Sequence, residues 1–420
     1  HKVRTSAAPR RVWIRRVRRL LPLHKRLPEE TPRKYRMDER TLPHLRVAVI
    51  HYWLTGMRGG EKVVEALCRI FPQADIYTHV VRPEALSETI TSHPIHTTFI
   101  QKLPGSVRHY QKYLPLMPLA LEQLDLRGYD LVISSESGPA KGVITRADTP
   151  HICYCHSPMR YLWDFYQDYL ESAGAVTRLL MRPLFHRLRL WDYASAQRVD
   201  HVIANSRTVA RRVKRWWGKE AAVIHPPVDI SRFSSPHMAG LQNVPGTPEP
   251  GSYYLCLSEL VSYKRVELAV EACTRTGRRL VVAGDGPERK RLESIAGPTV
   301  SFVGRVDNAA LPALYAGCKA FLFPGEEDFG ITPLEAMAAG RPVIAYGRGG
   351  VLDSVADGET GIFFERQTAD ALTEALDAYE ASTEQTWVHD KLKRQAESFS
   401  EEIFRKKMIA FIADVLENKV

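Results

Sequence analysis

The chain has 420 residues, 44% of them hydrophobic and 25% charged, an ordinary globular composition with length enough for two domains, each with its own core. Its 6 cysteines show no C-x-x-C pair and no matching histidines, which excludes a disulfide framework or a zinc site and fits reduced, buried thiols of a cytosolic protein. The formal charge of +10 belongs to one end: residues 1–26 hold ten Lys or Arg and no acid, leaving 48 bases against 48 acids.

No run of about 18 apolar residues occurs, and the first residues lack a signal peptide's apolar core. The sequence therefore predicts neither a membrane span nor secretion, and a cytoplasmic location, peripheral on the inner face of the cell membrane. The chain begins at His1 rather than Met, so its numbering starts inside a natural protein or after an added remnant. Residues 1–45 read as a basic N-terminal extension. Within it Trp13, Ile14, Val17, Leu20 and Leu21 recur at helical spacing, arginines fill the intervening positions, and Pro22 disturbs the helical pattern beyond Leu21. Residues 10–27 are thus expected to lie on an anionic membrane surface, each basic residue adding on the order of 1 kcal/mol. A solvated arm and a nucleic-acid contact fit the same composition, although nucleic acid is not the partner expected.

Arg46–Ile50 is a short apolar run of the kind that begins a parallel sheet, and it opens a first domain over 46–230. A glycine loop with Gly59 and Gly60 comes next, then a helical pattern from Val63 to Phe71. Asp130–Ser134, His151–Cys155 and His201–Asn205 are further strands separated by helix-like segments. Ser234–Ser252 is rich in Pro, Gly and Ser without periodicity, so a linker or surface loop is placed at 231–252. A second alternating series runs over 253–400, with strands Tyr253–Ser258, Leu280–Ala283, Val300–Val303, Ala320–Phe323 and Pro342–Ala345. Helices Val266–Thr274 and Pro333–Ala339 lie between them, and an amphipathic helix over 401–420 packs back on the body. The fold class is α/β, two Rossmann-like domains with a cleft between them.

Open α/β sheets bind ligands outside the carboxyl ends of their strands. The most informative such loop is F-P-G-E-E-D-F-G-I-T-P-L-E-A-M-A-A-G-R-P-V, from Phe323 to Val343. Gly330 lets a ligand approach the backbone, and amides at Gly330, Ile331 and Thr332 face an anion at the helix start. Glu327 and Glu335 bracket that start. In the first domain Gly59-Gly60, after the first strand, suits close approach to a phosphate, and in the second Lys264-Arg265 follows a strand and opens a helix with two cations. His156, in C-H-S-P-M-R-Y-L-W, lies just past a strand, with Tyr161 and Trp163 beyond it as candidates to stack on acceptor sugars.

From about 46 to 400 the chain resembles the family 4 retaining glycosyltransferases of GT-B architecture, whose mark is E-x7-E followed by A-M-A-x-G-x-P-V. The resemblance implies that Glu327 contacts the donor sugar near its reacting carbon, that Glu335 binds the nucleotide ribose, and that His156 contacts the donor sugar. It implies that Lys264 neutralises the diphosphate with Arg265, that the base meets the backbone at Val306, and that the glycine loop is Gly59-Gly60. Two departures stand out: in the family's R-L-x-x-x-K-G, Glu259 replaces the Arg and Arg265 replaces the Gly. The family implies a nucleotide-sugar donor, no cofactor and no metal ion, the cations doing a metal's work. The motifs look most like those of bacterial polysaccharide mannosyltransferases, which points to GDP-mannose as donor and a lipid-linked saccharide as acceptor; a UDP-sugar such as UDP-glucose is the alternative. A UDP-sugar 2-epimerase shares the architecture but is disfavoured by E-x7-E, and a non-enzymatic membrane- or nucleic-acid-binding protein would leave the cleft motifs without a purpose.

Overall fold

A computed structural model describes residues 42–234, 244–382 and 387–418. The basic helix expected around Trp13–Leu21, the membrane segment 10–27, and residues 235–243 of the expected linker lie outside these.

The first sheet has seven strands: β1 (Val47–His51), β2 (Asp75–Thr78), β3 (Ile95–Thr97), β4 (Leu131–Glu136), β5 (His151–Cys155), β6 (His201–Ala204) and β7 (Ala222–Val223). They run parallel in the order β3-β2-β1-β4-β5-β6-β7. β1, β4 and β5 are buried along their whole length, which is why they read as unbroken apolar or small-residue runs rather than alternating ones. The second sheet has β8 (Tyr254–Leu257), β9 (Leu280–Ala283), β10 (Val300–Gly304), β11 (Phe321–Phe323), β12 (Val343–Tyr346) and β13 (Gly361–Phe364). Their order is β10-β9-β8-β11-β12-β13, again parallel throughout. Each sheet reverses its winding once, between β1 and β4 and between β8 and β11, and a crevice opens at each reversal. His51 and Ser135 end the first pair; the loops carrying Lys264 and Glu327 come after the second.

Four short strands have no counterpart in the sequence reading. β3, β7 and β13 are sheet edges and β2 is next to one; β2, β3 and β7 are short, partly exposed and carry no apolar run, whereas Ile362–Phe364 of β13 is an apolar run that the reading passed over. Val228, Ile230, Phe233 and Val244 pack in the core of the second sheet. The chain therefore enters the second domain near Pro226-Pro227, before the segment expected as linker.

The helix Glu401–Glu417 returns to the first domain. Phe404, Met408, Ile412 and Val415 complete the core that Val49, Leu67 and Ile133 begin. The Phe404 ring lies 5.9 Å from that of Tyr154, and Arg69 pairs with Glu401 at 2.6 Å. The outgoing and returning chain run side by side, the Val228 amide donating to the Phe399 carbonyl at 3.1 Å.

Candidate active site

The carboxyl ends of the two sheets face each other across a cleft of ≈ 800 Å³. From the first domain Gly59, Gly60 and His156 line it; from the second, Lys264, Val306, Glu327, Gly330, Ile331 and Thr332 do. The glycine loop meets the second domain directly: a Cβ on Gly59 would touch Ile331 Cδ1 at 3.4 Å, and one on Gly60 would lie 2.6 Å from the Tyr52 hydroxyl. The helix Gly59–Ile70 starts there, so its first amides open on the cleft.

His156 is held from behind. Its Nε2 lies 2.8 Å from Ser135 Oγ, which is 3.0 Å from His51 Nδ1, and His51 and Ser135 are register partners on β1 and β4. Burial pulls the His156 pKa down to about 4, so the ring is neutral at physiological pH and acts as a hydrogen-bonding group rather than a cation. Burial, and then the repulsion that a second imidazolium beside His156 would meet, push His51 well below its usual value as well. A histidine kept neutral takes up a proton on unfolding. His156 therefore lowers stability as pH falls from 6.5 toward 4 and has no such effect above that window. The pH profile of kcat/KM should accordingly show no His156 ionisation at neutral pH. His156→Gln should keep the profile's shape while lowering its height by about 10²-fold; a limb near pH 6.5 that disappears in the variant would contradict a neutral ring.

Lys264 and Glu327 form an ion pair in the cleft, with side chains 16% and 22% exposed. Burial works to lower the Lys264 pKa, but the adjacent Glu327 carboxylate outweighs it and the ammonium is raised. Arg265 does not join Lys264, contrary to the expectation that the two share a diphosphate. It occupies the glycine position of the motif in a left-handed conformation (φ 55°), the only non-glycine residue with positive φ among those described, at a cost of about 1 kcal/mol. That backbone sends its side chain out of the cleft to pair with Glu267. It lines a neighbouring cavity of ≈ 780 Å³ instead.

Glu335 stands in the first turns of the helix Thr332–Ala338 and does not line the cleft; its carboxylate accepts from the Tyr315 hydroxyl at 2.8 Å. Burial raises its pKa, opposed by that hydrogen bond and by Arg232. Tyr161 and Trp163 are likewise absent from the cleft, a second correction. Tyr161 packs against Phe185 and Tyr169, while Trp163 stacks on Trp216 at 4.8 Å and donates to Asp192 at 2.8 Å. Aromatic residues just past a strand found an apolar cluster to fill before they found a ligand.

The sequence reading missed Arg160 and Asn205. Both line the cleft, and Arg160 Nε and Nη2 and Asn205 Oδ1 are buried without a hydrogen-bond partner. Such atoms are costly unless a ligand satisfies them. Asn205 directly follows β6, so its strand-end position was a usable signal. Also missed was the role of the other acids in the Glu326–Asp328 turn. Arg212 binds Asp164 at 2.6 Å, Glu326 at 3.4 Å and Asp328, while Ser206 Oγ donates to the Asp328 carbonyl at 2.5 Å. Arg207 and His225 both bind Asp353, each at 3.0 Å. The Arg212 and Ser206 bonds to Glu326 and Asp328 tie the loop that carries Glu327 to the opposite domain, and the Arg207 bond to Asp353 adds a second tie beside it.

Comparison with known proteins agrees with this arrangement. Residues 57–232 match the model of Glycosyltransferase Family 4 and residues 241–398 that of Glycosyl transferases group 1. A GDP-mannose-dependent alpha-mannosyltransferase of Mycolicibacterium smegmatis is 34% identical over 187 residues, covering 42% of this chain and 47% of that protein. A GDP-mannose-dependent alpha-(1-6)-phosphatidylinositol monomannoside mannosyltransferase of the same organism is 31% identical over 205 residues, covering 42% and 52%. The matches thus span about half the length of these relatives. Among solved structures, Anabaena Alr3699/HepE in complex with UDP and glucose superposes with a TM-score of 0.65 at 17% identity, covering 88% of this chain and 100% of that one. Sucrose-phosphate synthase from Thermosynechococcus elongatus does so at 0.65 with 19% identity, covering 88% and 99%. At such identities the likeness is one of fold, two facing Rossmann-like domains of GT-B type.

Proposed function

The chain belongs to the glycosyltransferases that join a family 4 domain to a group 1 domain, and on that premise we propose that it transfers mannose from GDP-mannose to a lipid-linked saccharide in bacterial polysaccharide synthesis. The observation that carries this reading is the convergence of Lys264, Glu327, His156 and the Gly59-Gly60 loop on one cleft; the names of the mycobacterial relatives favour GDP-mannose.

In this reading the donor diphosphate takes Lys264 from Glu327 and lies toward the amides of the glycine loop and of Gly330–Thr332. Glu327, released, turns to the sugar beside the anomeric carbon, where positive charge grows as the C1–O bond breaks. Neutral His156 hydrogen-bonds the sugar. The acceptor oxygen bonds to C1 on the face the phosphate leaves, and its proton passes to the departing phosphate oxygen, so configuration is retained. Lys264 and Arg160 supply the positive charge that a metal ion would otherwise bring. A cleft closed by Arg212 and Asp328 keeps water from the donor.

Calorimetric titration with GDP, UDP and ADP, without added metal, beside Glu335→Ala tests the reading. Selective GDP binding that weakens in the variant supports it and the ribose role of Glu335. Tighter UDP binding moves the donor to a UDP-sugar, the alternative that the UDP complex of the Anabaena structure favours. Binding of none of the three overturns the cleft assignment, and conversion of a UDP-sugar without acceptor would identify an epimerase.

A further inference from the structure

Among the described residues, several of the large apolar side chains that stay exposed lie on neighbouring helices of the first domain. The helix Ala175–Ala196 supplies Leu179 (69% exposed), Leu180 (67%), Leu190 (61%) and Tyr193 (51%). Its inner side is already satisfied: Phe185 and Leu188 pack on Met159 and Leu162, and Asp192, its one acid, is buried against Lys141, Trp163 and Trp217. With 3.6 residues per turn, Leu179, Leu190 and Tyr193 fall on one stripe. The exposed Arg182 and Arg187 flank that stripe on either side. The Met117–Glu122 helix, tied through Glu122 to Trp191 at 3.4 Å, adds exposed Leu119.

We propose that this face is a docking surface for an anionic lipid leaflet. An apolar stripe rimmed by arginines and ending in a tyrosine matches the interface between acyl chains and anionic headgroups: the leucines enter, the guanidinium groups stay with the phosphates, and the ring of Tyr193 sits between. The absence of an exposed acid on the helix favours a lipid surface over a protein partner, which would need complementary charge of its own. Leucines this exposed are not needed for the fold, since the opposite side of the helix provides its packing. Docking here also sets the molecule's orientation. Tyr169, on the neighbouring helix Tyr166–Ser172, lines the ≈ 780 Å³ cavity shared between the two domains, so the leaflet comes to lie on that side of the cleft. The surface is independent of donor identity and belongs to a different part of the sequence from residues 10–27.

The test uses the full chain with vesicles of phosphatidylcholine alone and with phosphatidylglycerol added. Leu179→Asp/Leu190→Asp should weaken partition to the anionic vesicles by about tenfold or more, and Arg182→Glu/Arg187→Glu should remove the preference for phosphatidylglycerol. The 6 native cysteines are buried, so Leu190→Cys can carry an environment-sensitive fluorophore. Its emission should shift to the blue on adding anionic vesicles, a readout that does not depend on the charged variants folding. Unchanged partition in the leucine variant together with an unshifted label overturns the proposal. So does a dimer in lipid-free solution that the leucine substitutions dissociate, which would make this face a protein interface. Nucleotide titration of the same variants should match the parent, so failure here is distinguishable from failure of the cleft reading.

Discussion

Replacing Lys264 with alanine is expected to lower kcat/KM by about 10²–10³-fold, the largest effect of any single side chain in the cleft. The ammonium performs two tasks that the substitution removes together. In the free protein it pairs with Glu327. On the proposed reading it also faces the charge that develops on the leaving diphosphate once donor is bound, where a fixed cation in a sheltered cleft is worth more than one in solution. Neither neighbouring arginine can take over: Arg265 is directed out of the cleft toward Glu267, and Arg160 reaches in from the other domain with Nη1 already at 3.4 Å from Asp328. Lys264→Arg should recover part of the loss, because charge is restored without the geometry. The readout is initial rate over a range of donor concentrations, with circular dichroism to verify the fold. A loss of less than about threefold would show that the diphosphate is held elsewhere.

The second large effect is on stability. Gly284 follows β9 at the cleft, with φ at 123°, and its amide donates to the Gly304 carbonyl at 2.7 Å. A Cβ there would lie 1.9 Å from the Ser258 carbonyl oxygen. That oxygen belongs to backbone and cannot swing away, so Gly284→Ala combines conformational strain with a steric clash and should cost about 2–4 kcal/mol. The melting temperature should fall by roughly 5–15 °C. Gly277→Ala is the control. Gly277 also has positive φ, 69°, but nothing lies within 4 Å of its added Cβ, so only strain remains, about 1 kcal/mol. Equal shifts in the two variants would mean that the loop at Gly284 yields.

The parts legible in the sequence were those with a local signature. Buried parallel strands such as His151–Cys155 and Leu280–Ala283 declare themselves as apolar runs, and loops immediately after them must face the crevice, which is how His156, Lys264 and Glu327 could be brought together. What stayed hidden depended on contacts distant in sequence. Asp75–Thr78 is a strand because it pairs with β1, not because of its composition. Glu326 and Asp328 look like a solvated acidic turn until Arg212, more than a hundred positions earlier, is found against them. The direction of Arg265 is set by a left-handed backbone that its arginine-for-glycine departure hinted at without settling. Tyr161 and Trp163 have the right chemistry for a sugar, yet Phe185 and Trp216 engage them.

The return of Glu401–Glu417 to the first domain carries a cost in time. Phe404, Met408, Ile412 and Val415 cover the core around Val49 and Leu67, but a ribosome makes them only after the entire second domain. At about 5–20 residues per second the first sheet waits roughly ten to forty seconds with that side of its core open. Through that interval the nascent chain presents an apolar surface to chaperones and to its neighbours on the same message. The segment that seals the first domain is therefore translated only after the second, and the yield of folded protein should respond to translation rate and holdase supply more than the stability of either sheet would suggest.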